Sequence, residues 1–215
     1  MSIGQKHIVL DIDDTLVHSF FLTREQYLNI KDNPEYGFLK DRGFFINVID
    51  IDNSDIRGIG IITTIYIAFR PYAKEFLAFC LDYFDQISIW SAGHFRYVRA
   101  IECLLFPPSN QRYREKLQKV LTRVDCNSIT EKAILKDLAS KGFTLENTLI
   151  IDDNQTTFTR NPSNAVHIPQ YNPKLIREHI MYDDRNLLKL IKWIQDNSVN
   201  TCPDVRLLDK SNIFK

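Results

Sequence analysis

Asp11 and Asp13 stand two residues apart, directly after the apolar run Ile8-Val9-Leu10. On a continuing strand, residues two apart point to the same face, so the two side chains are expected to converge. Two carboxylates at one strand end repel each other, and desolvation adds to the cost. A bound cation relieves both, and hard oxygen ligands suit Mg²⁺. Thr15 follows, where a hydroxyl can brace a turn by bonding nearby backbone. Asp14 is expected to face away and serve structure. Two more strand ends carry polar chemistry: Ser91 after Gln86–Trp90, and Asp152-Asp153 after Asn147–Ile151. Each group alone could be a solvated turn or a helix cap. Three such ends in one chain make a shared site the stronger reading.

The elements that must position these groups follow from periodicity. The first strand is read from about His7 to Asp13. Short apolar strands follow at Gln86–Trp90, Asn147–Ile151 and Ala165–Ile168. Pro71 opens a helix to about Tyr83, as Pro is tolerated at a first helical position. Helices are also read from His94 to Leu105, Asn110 to Leu121, and Thr130 to Lys141, the last ended by Gly142. Asp183 or Asp184 is expected to cap a final helix through Ile194. The tail from Ser198 to Lys215 has no clear period. Strands alternating with helices imply an α/β fold, a Rossmann-like parallel sheet with helices on both faces. In such sheets ligands sit beyond the carboxyl ends of the strands.

Between about residues 18 and 69 the pattern changes. Thr23 to Ile30 suggests one or two helical turns. Phe44–Ile51 and Gly60–Phe69 read as strands, joined by a hairpin loop at Asn53-Ser54-Asp55 with Gly58. This is a small β-rich insertion after the first strand, in a chain of 215 residues read as one domain. Phe44, Phe45, Tyr66 and Phe69 either pack the insertion's own core or line a groove for peptide side chains.

Hydrophobic residues at 44% and charged ones at 25% are ordinary for a globular chain. Lys+Arg and Asp+Glu balance at 27 each, so no global field announces nucleic acid or a membrane surface. Cys80, Cys103, Cys126 and Cys202 are widely spaced, which argues against a zinc site or disulfide framework and fits a reducing compartment. No basic region followed by an apolar stretch and cleavage site is seen, and Ile59–Phe69 is too short to span a bilayer. A soluble intracellular protein is expected.

Asp11-Ile12-Asp13-Asp14-Thr15-Leu16-Val17-His18-Ser19, Arg70-Pro71, Lys136-Asp137-Leu138, Ile150-Ile151-Asp152-Asp153 and Asn164-Ala165 occur in that order. The set resembles the haloacid dehalogenase superfamily, and within it the phosphatases of the RNA polymerase II C-terminal domain. The chain departs from that pattern in three places. Asn154-Gln155 replaces part of a late Asp-Asn-Ser-Pro, Ser91 stands where Thr is usual, and Pro169-Gln170-Tyr171-Asn172-Pro173 replaces an aromatic-acidic signature.

The resemblance implies a Mg²⁺-dependent phosphatase acting on phosphoserine or phosphothreonine in proteins. Asp11 would be the nucleophile, forming an aspartyl-phosphate. Asp13 would protonate the leaving oxygen and then deprotonate water. Asp11, the Asp13 backbone carbonyl and Asp153 would hold Mg²⁺, with Asp152 beside them. Ser91 and Lys136 would bind the phosphate. The implied partner is a phosphorylated protein or peptide, with the RNA polymerase II C-terminal domain a candidate. No direct nucleic-acid or membrane partner is implied. A small-metabolite phosphatase or phosphotransferase on the same scaffold, or a non-catalytic phosphopeptide-binding module, are the alternatives. His18, His94 and His167 are read as packing or surface residues. The basic run Arg112 to Lys119 is read as a solvated helix face, with docking of an acidic phosphopeptide as the sharper option.

Overall fold

The computed structural model describes residues 4–51, 59–130 and 133–215. The chain opens with β1 (His7–Leu10), β2 (Val17–Leu22), α1 (Arg24–Lys31), α2 (Leu39–Arg42), β3 (Gly43–Ile49) and β4 (Ile62–Phe69). Next come α3 (Ala73–Tyr83), β5 (Gln86–Trp90), α4 (Phe95–Leu105), α5 (Gln111–Lys116) and β6 (Leu117–Leu121). The last part holds β7 (Asn127–Thr130), β8 (Ala133–Leu135), β9 (Thr148–Asp152), β10 (Ala165–His167), α6 (Arg177–Ile180) and α7 (Asn186–Asp196). Among the described residues no helix is long and apolar enough to cross a membrane.

The main sheet is parallel, in the order β10-β9-β1-β5-β6. Its central strands are mostly apolar because both faces are covered. Ile8 and Leu10 enter one core and Val9 the other, and β9 repeats this with Leu149 and Ile151 against Ile150. The first core lies under α3, α4 and α7, through Phe76, Ile101 and Leu190 among others. The second is closed by Leu138, Phe143 and Phe158, on 3₁₀ turns and loops. The sheet is thus covered on both faces, by α-helices on one and by loops with a 3₁₀ turn on the other. The chain runs from β1 outward to β5 and β6, then returns to β9 and β10 on the far side. The reversal falls between β1 and β9, the place where ligands bind in such sheets.

β2, β3 and β4 build an antiparallel sheet in the order β2-β4-β3. Ile65, Ile67 and Phe69 continue the main core, while Tyr66 and Ala68 join a smaller core with Phe38, Leu39 and Ile180. The hairpin loop expected at Asn53–Asp55 lies outside the described residues. Thr23 caps α1 through a capping box with Gln26.

Several expected elements differ. The first strand stops at Leu10, because Asp14 takes a left-handed conformation (φ 57°) and turns the chain back. Val17–Leu22 then forms a strand that periodicity did not suggest, paired along its length to β4. The helix expected over Asn110–Leu121 ends at Lys116, because Leu117–Leu121 is recruited as the sheet's edge strand beside β5. The helix expected over Thr130–Lys141 is replaced by the β7–β8 hairpin and a 3₁₀ turn at Ala139–Lys141. The α3 helix starts at Ala73, after a left-handed Tyr72 (φ 65°). Arg185 occupies the cap of α7, and Asp184 instead accepts the Asn186 N–H at 2.8 Å.

Candidate phosphatase active site

The functional groups meet at the carboxyl ends of β1, β5 and β9. Asp11 directly follows β1, and its backbone N–H donates to the Ile151 carbonyl at 3.0 Å. Its carboxylate is buried and accepts from Lys136 Nζ at 2.5 Å. Lys136 is 1% exposed and also donates to Asp152 Oδ2 at 2.7 Å. It reaches this position because β8 ends one residue earlier and its backbone N–H donates to the Thr157 carbonyl at 2.6 Å. Removing this ammonium group from water opposes its charge, but Asp11 and Asp152 outweigh that and raise its pKa. Burial raises the Asp11 pKa well above the carboxylate range; Lys136 opposes the shift and Asp152 adds to it.

The acidic pair of β9 splits into different environments. Asp152 is the more heavily bonded: Oδ2 accepts from Lys136 and from the Thr157 hydroxyl at 2.8 Å, and Oδ1 accepts the Asn154 N–H at 2.9 Å. Asp153 is half-buried and takes a single long bond from the Thr15 hydroxyl at 3.3 Å, while its N–H donates to Thr15 Oγ1 at 3.1 Å. Burial, then Asp152 and Asp14, push the Asp153 pKa up to about 6. One carboxylate oxygen from each of Asp11, Asp152 and Asp153 lies within 4.8 Å of the others. Three such carboxylates with one ammonium among them leave an excess of negative charge, and their all-oxygen donor set fits a hard divalent cation.

Asp13 stands apart from that cluster, because the chain has already left the strand. Ser91 Oγ donates to its Oδ2 at 3.1 Å and the Tyr97 hydroxyl donates to its Oδ1. Burial raises its pKa, and these two donors partly offset the rise. Ser91 itself accepts the Gly93 N–H at 2.9 Å. A Cβ on Gly93 would come within 2.8 Å of the Tyr97 ring, so the turn from β5 into α4 needs glycine. Ser91, expected as a phosphate donor, thus stands beside Asp13 at the site.

Beside Asp13 opens a cleft of about 510 Å³ lined by Phe21, Ile51, His94, Tyr97 and Arg123. Tyr97 and Arg123 were not found by sequence reasoning. Tyr97 follows Ser91 by six residues on the first turn of α4, a placement a helix assignment could have suggested; Arg123 carries no local signal. Of the four aromatics read as a groove, Tyr66 and Phe69 are buried, and the Tyr66 hydroxyl donates to the Leu39 carbonyl at 2.8 Å. These two pack the core, while Phe44 and Phe45 remain exposed. In the basic run, Arg112 pairs with Asp82, Lys116 donates to the Phe84 carbonyl at 2.7 Å and Lys119 to the Lys141 carbonyl. The two lysines are thus tied to backbone carbonyls, whereas the Arg112–Asp82 pair is exposed.

The array lies at the switch point of a parallel sheet, where α/β folds of this class bind their ligands. Residues 6–206 match the model of the NLI interacting factor-like phosphatases, and the chain belongs to that family. It is 29% identical over 210 residues to a probable C-terminal domain small phosphatase of Dictyostelium discoideum, covering 97% of this chain and 56% of that protein. It is 27% identical over 177 residues to the human carboxy-terminal domain RNA polymerase II polypeptide A small phosphatase 2, covering 78% of this chain and 51% of that one. The chain thus spans about half the length of these curated relatives. Its fold is similar to that of Fcp1, an essential RNA polymerase II CTD phosphatase, with TM-score 0.58 and 18% identity over 97% of this chain and 58% of that one. A fission yeast Fcp1 structure with bound beryllium fluoride is equally similar, with TM-score 0.58 and 17% identity over 92% of this chain and 57% of that one.

Proposed function

We propose that the chain is a Mg²⁺-dependent phosphatase that hydrolyses phosphoserine or phosphothreonine in proteins through an aspartyl-phosphate. The observation that carries this reading is Asp11, set between Lys136 at 2.5 Å and the oxygens of Asp152 and Asp153, with Asp13 two residues on and facing an open cleft. Lys136 occupies Asp11 Oδ1, leaving Oδ2 for attack on phosphorus. As the Asp11–phosphorus bond forms, the bond from phosphorus to the serine oxygen breaks, and Asp13 gives its proton to that oxygen. Asp13, now ionised, takes a proton from water as the water oxygen attacks the acyl phosphate. Inorganic phosphate leaves and the Asp11 carboxylate is restored. Ser91 and Tyr97 keep Asp13 oriented through both steps. Mg²⁺, held by Asp11 and Asp153 with Asp152 beside them, would neutralise charge on the phosphoryl oxygens. Asp152 serves chiefly to hold Lys136, which with Thr157 occupies its Oδ2. The Asp13 carbonyl completes the proposed ligand set.

The family supports phosphatase chemistry, and the fission yeast neighbour binds beryllium fluoride, a phosphoryl mimic. The cleft, apolar at Phe21 and Ile51 and cationic at Arg123, favours an extended phosphopeptide over an enclosed metabolite. The human relative's name makes peptides of the RNA polymerase II C-terminal domain the first to try. The test is turnover of p-nitrophenyl phosphate and of phosphopeptide and metabolite panels, with Mg²⁺ or with excess chelator. Peptide hydrolysis dependent on Mg²⁺ and lost in Asp11→Asn is expected. Preference for metabolites would overturn the substrate assignment, and full activity in chelator or in folded Asp11→Asn would overturn the mechanism.

A further inference from the structure

Between Asp13 and Thr15 the chain passes through Asp14 in the left-handed region, with φ 57°. Its two neighbours have opposite duties. Asp13 is held by Ser91 and Tyr97, and Thr15 exchanges hydrogen bonds with Asp153. A rotation about the Asp14 backbone would swing both away. Asp14 is gripped from outside its own loop on every polar atom of its side chain. Its Oδ1 lies 2.5 Å from His18 Nδ1 on β2, and Gln170 Nε2 donates to its Oδ2 at 2.6 Å. Its carbonyl accepts the Tyr171 N–H at 2.7 Å, and its N–H donates to the Val17 carbonyl at 2.7 Å. Gln170 and Tyr171 belong to the Pro169–Pro173 segment after β10, where this chain departs from the family pattern.

Resting on the phosphatase reading above, we propose that Gln170 and His18 are positioning residues that act through Asp14 to set Asp13 against the leaving oxygen. Neither touches substrate. Tyr171 is buried and anchors the segment, its hydroxyl donating to the Phe69 carbonyl at 3.3 Å, so Gln170 is presented from a fixed base. Asp14 is the only one of the loop's carboxylates turned outward to this grip, and its charge is spent on orientation.

Gln170 is exposed, so Gln170→Ala removes the grip without a packing defect. Asp14→Gly keeps the backbone freedom that φ 57° requires and removes the carboxylate, whereas Asp14→Asn keeps an acceptor and tolerates the same conformation. For a phosphoserine peptide, kcat in Gln170→Ala and Asp14→Gly is expected to fall about tenfold with KM within about twofold, because a misplaced acid loses proton transfer more than binding. For p-nitrophenyl phosphate, whose leaving group needs less protonation, the fall should be smaller. Asp14→Asn should recover most of the rate. Hydrogen exchange should show lost protection at residues 12–17 in Gln170→Ala. An unchanged ratio of alkyl to aryl rates, or unchanged exchange, would overturn the proposal while leaving the phosphatase reading intact. A wild type that turns over neither substrate would overturn the phosphatase reading first, and the positioning role with it.

Discussion

At the scale of single residues, the site is governed by how few cations share many carboxylates. Lys136 compensates Asp11 and Asp152, and all three side chains are buried. Lys136→Met leaves two buried carboxylates without a counter-charge, and breaking such a pair from one side costs about 3–5 kcal/mol. Urea denaturation should show that loss, together with loss of activity. The double variant Lys136→Met/Asp152→Asn should regain much of the stability and none of the activity, since one of the uncompensated charges is gone. A double variant no more stable than the single would refute this account. Asp153 makes a second case. With its pKa near 6, protons compete with a cation as pH falls through that value. Mg²⁺ affinity by calorimetry should be nearly flat above about pH 7 and fall by up to about tenfold per pH unit below 6. Asp153→Ala should weaken binding throughout, and Asp153→Asn less so, because the amide oxygen can still coordinate. Affinity that is constant from pH 7 to 5 would count against Asp153 as a ligand.

At the scale of elements, one buried side chain ties the catalytic loop to the rest. Arg70, just after β4, donates to the Thr15 carbonyl at 3.1 Å, to the Pro169 carbonyl at 2.7 Å and to Asp184 Oδ2 at 2.8 Å. It thereby joins the loop after β1, the segment after β10 and the approach to α7. A lysine has the charge without the planar fork and cannot meet three acceptors in these directions. Arg70→Lys is expected to destabilise the fold by on the order of 3 kcal/mol, since it leaves buried acceptors unpaired. Tm and denaturant midpoint should both report it. Arg70-Pro71 stood out in the sequence as a motif, but its partners are 55, 99 and 114 residues away along the chain. Motif order carried the residue's importance; its contacts were not legible.

At the scale of the whole molecule, pH acts on the sheet through His7. The ring on β1 meets Ser88 Oγ of β5 at 2.8 Å and is shut from water. Burial, with Lys119 nearby, lowers its pKa from 6.5 to about 4. The unfolded chain therefore binds more protons between those values, so stability is full above about 6.5, falls as pH drops toward 4 and levels off below. The loss is on the order of 3 kcal/mol at most. His7→Gln should flatten that part of the curve, and an equal slope in both proteins would refute the role.

What the sequence determined by itself was local: apolar runs ending in Asp11/Asp13, Ser91 and Asp152/Asp153, and an α/β order that brings such ends to one edge. These depend on period-two burial and on neighbours within a few residues, which are visible in one dimension. Only the tertiary structure decided the rest. It turned residues 133–136 into a strand end that delivers Lys136, because burial between Asp11 and Asp152 outweighs the helical periodicity of that stretch. It made Val17–Leu22 a strand by offering β4 as a partner. It brought Tyr97, 84 residues away, onto Asp13. It also separated the roles of Asp152 and Asp153, adjacent and identical in type, because three donors engage the first and one long bond leaves the second more open. Which lone pairs stay free depends on groups far apart in the chain, and only folding brings those groups together.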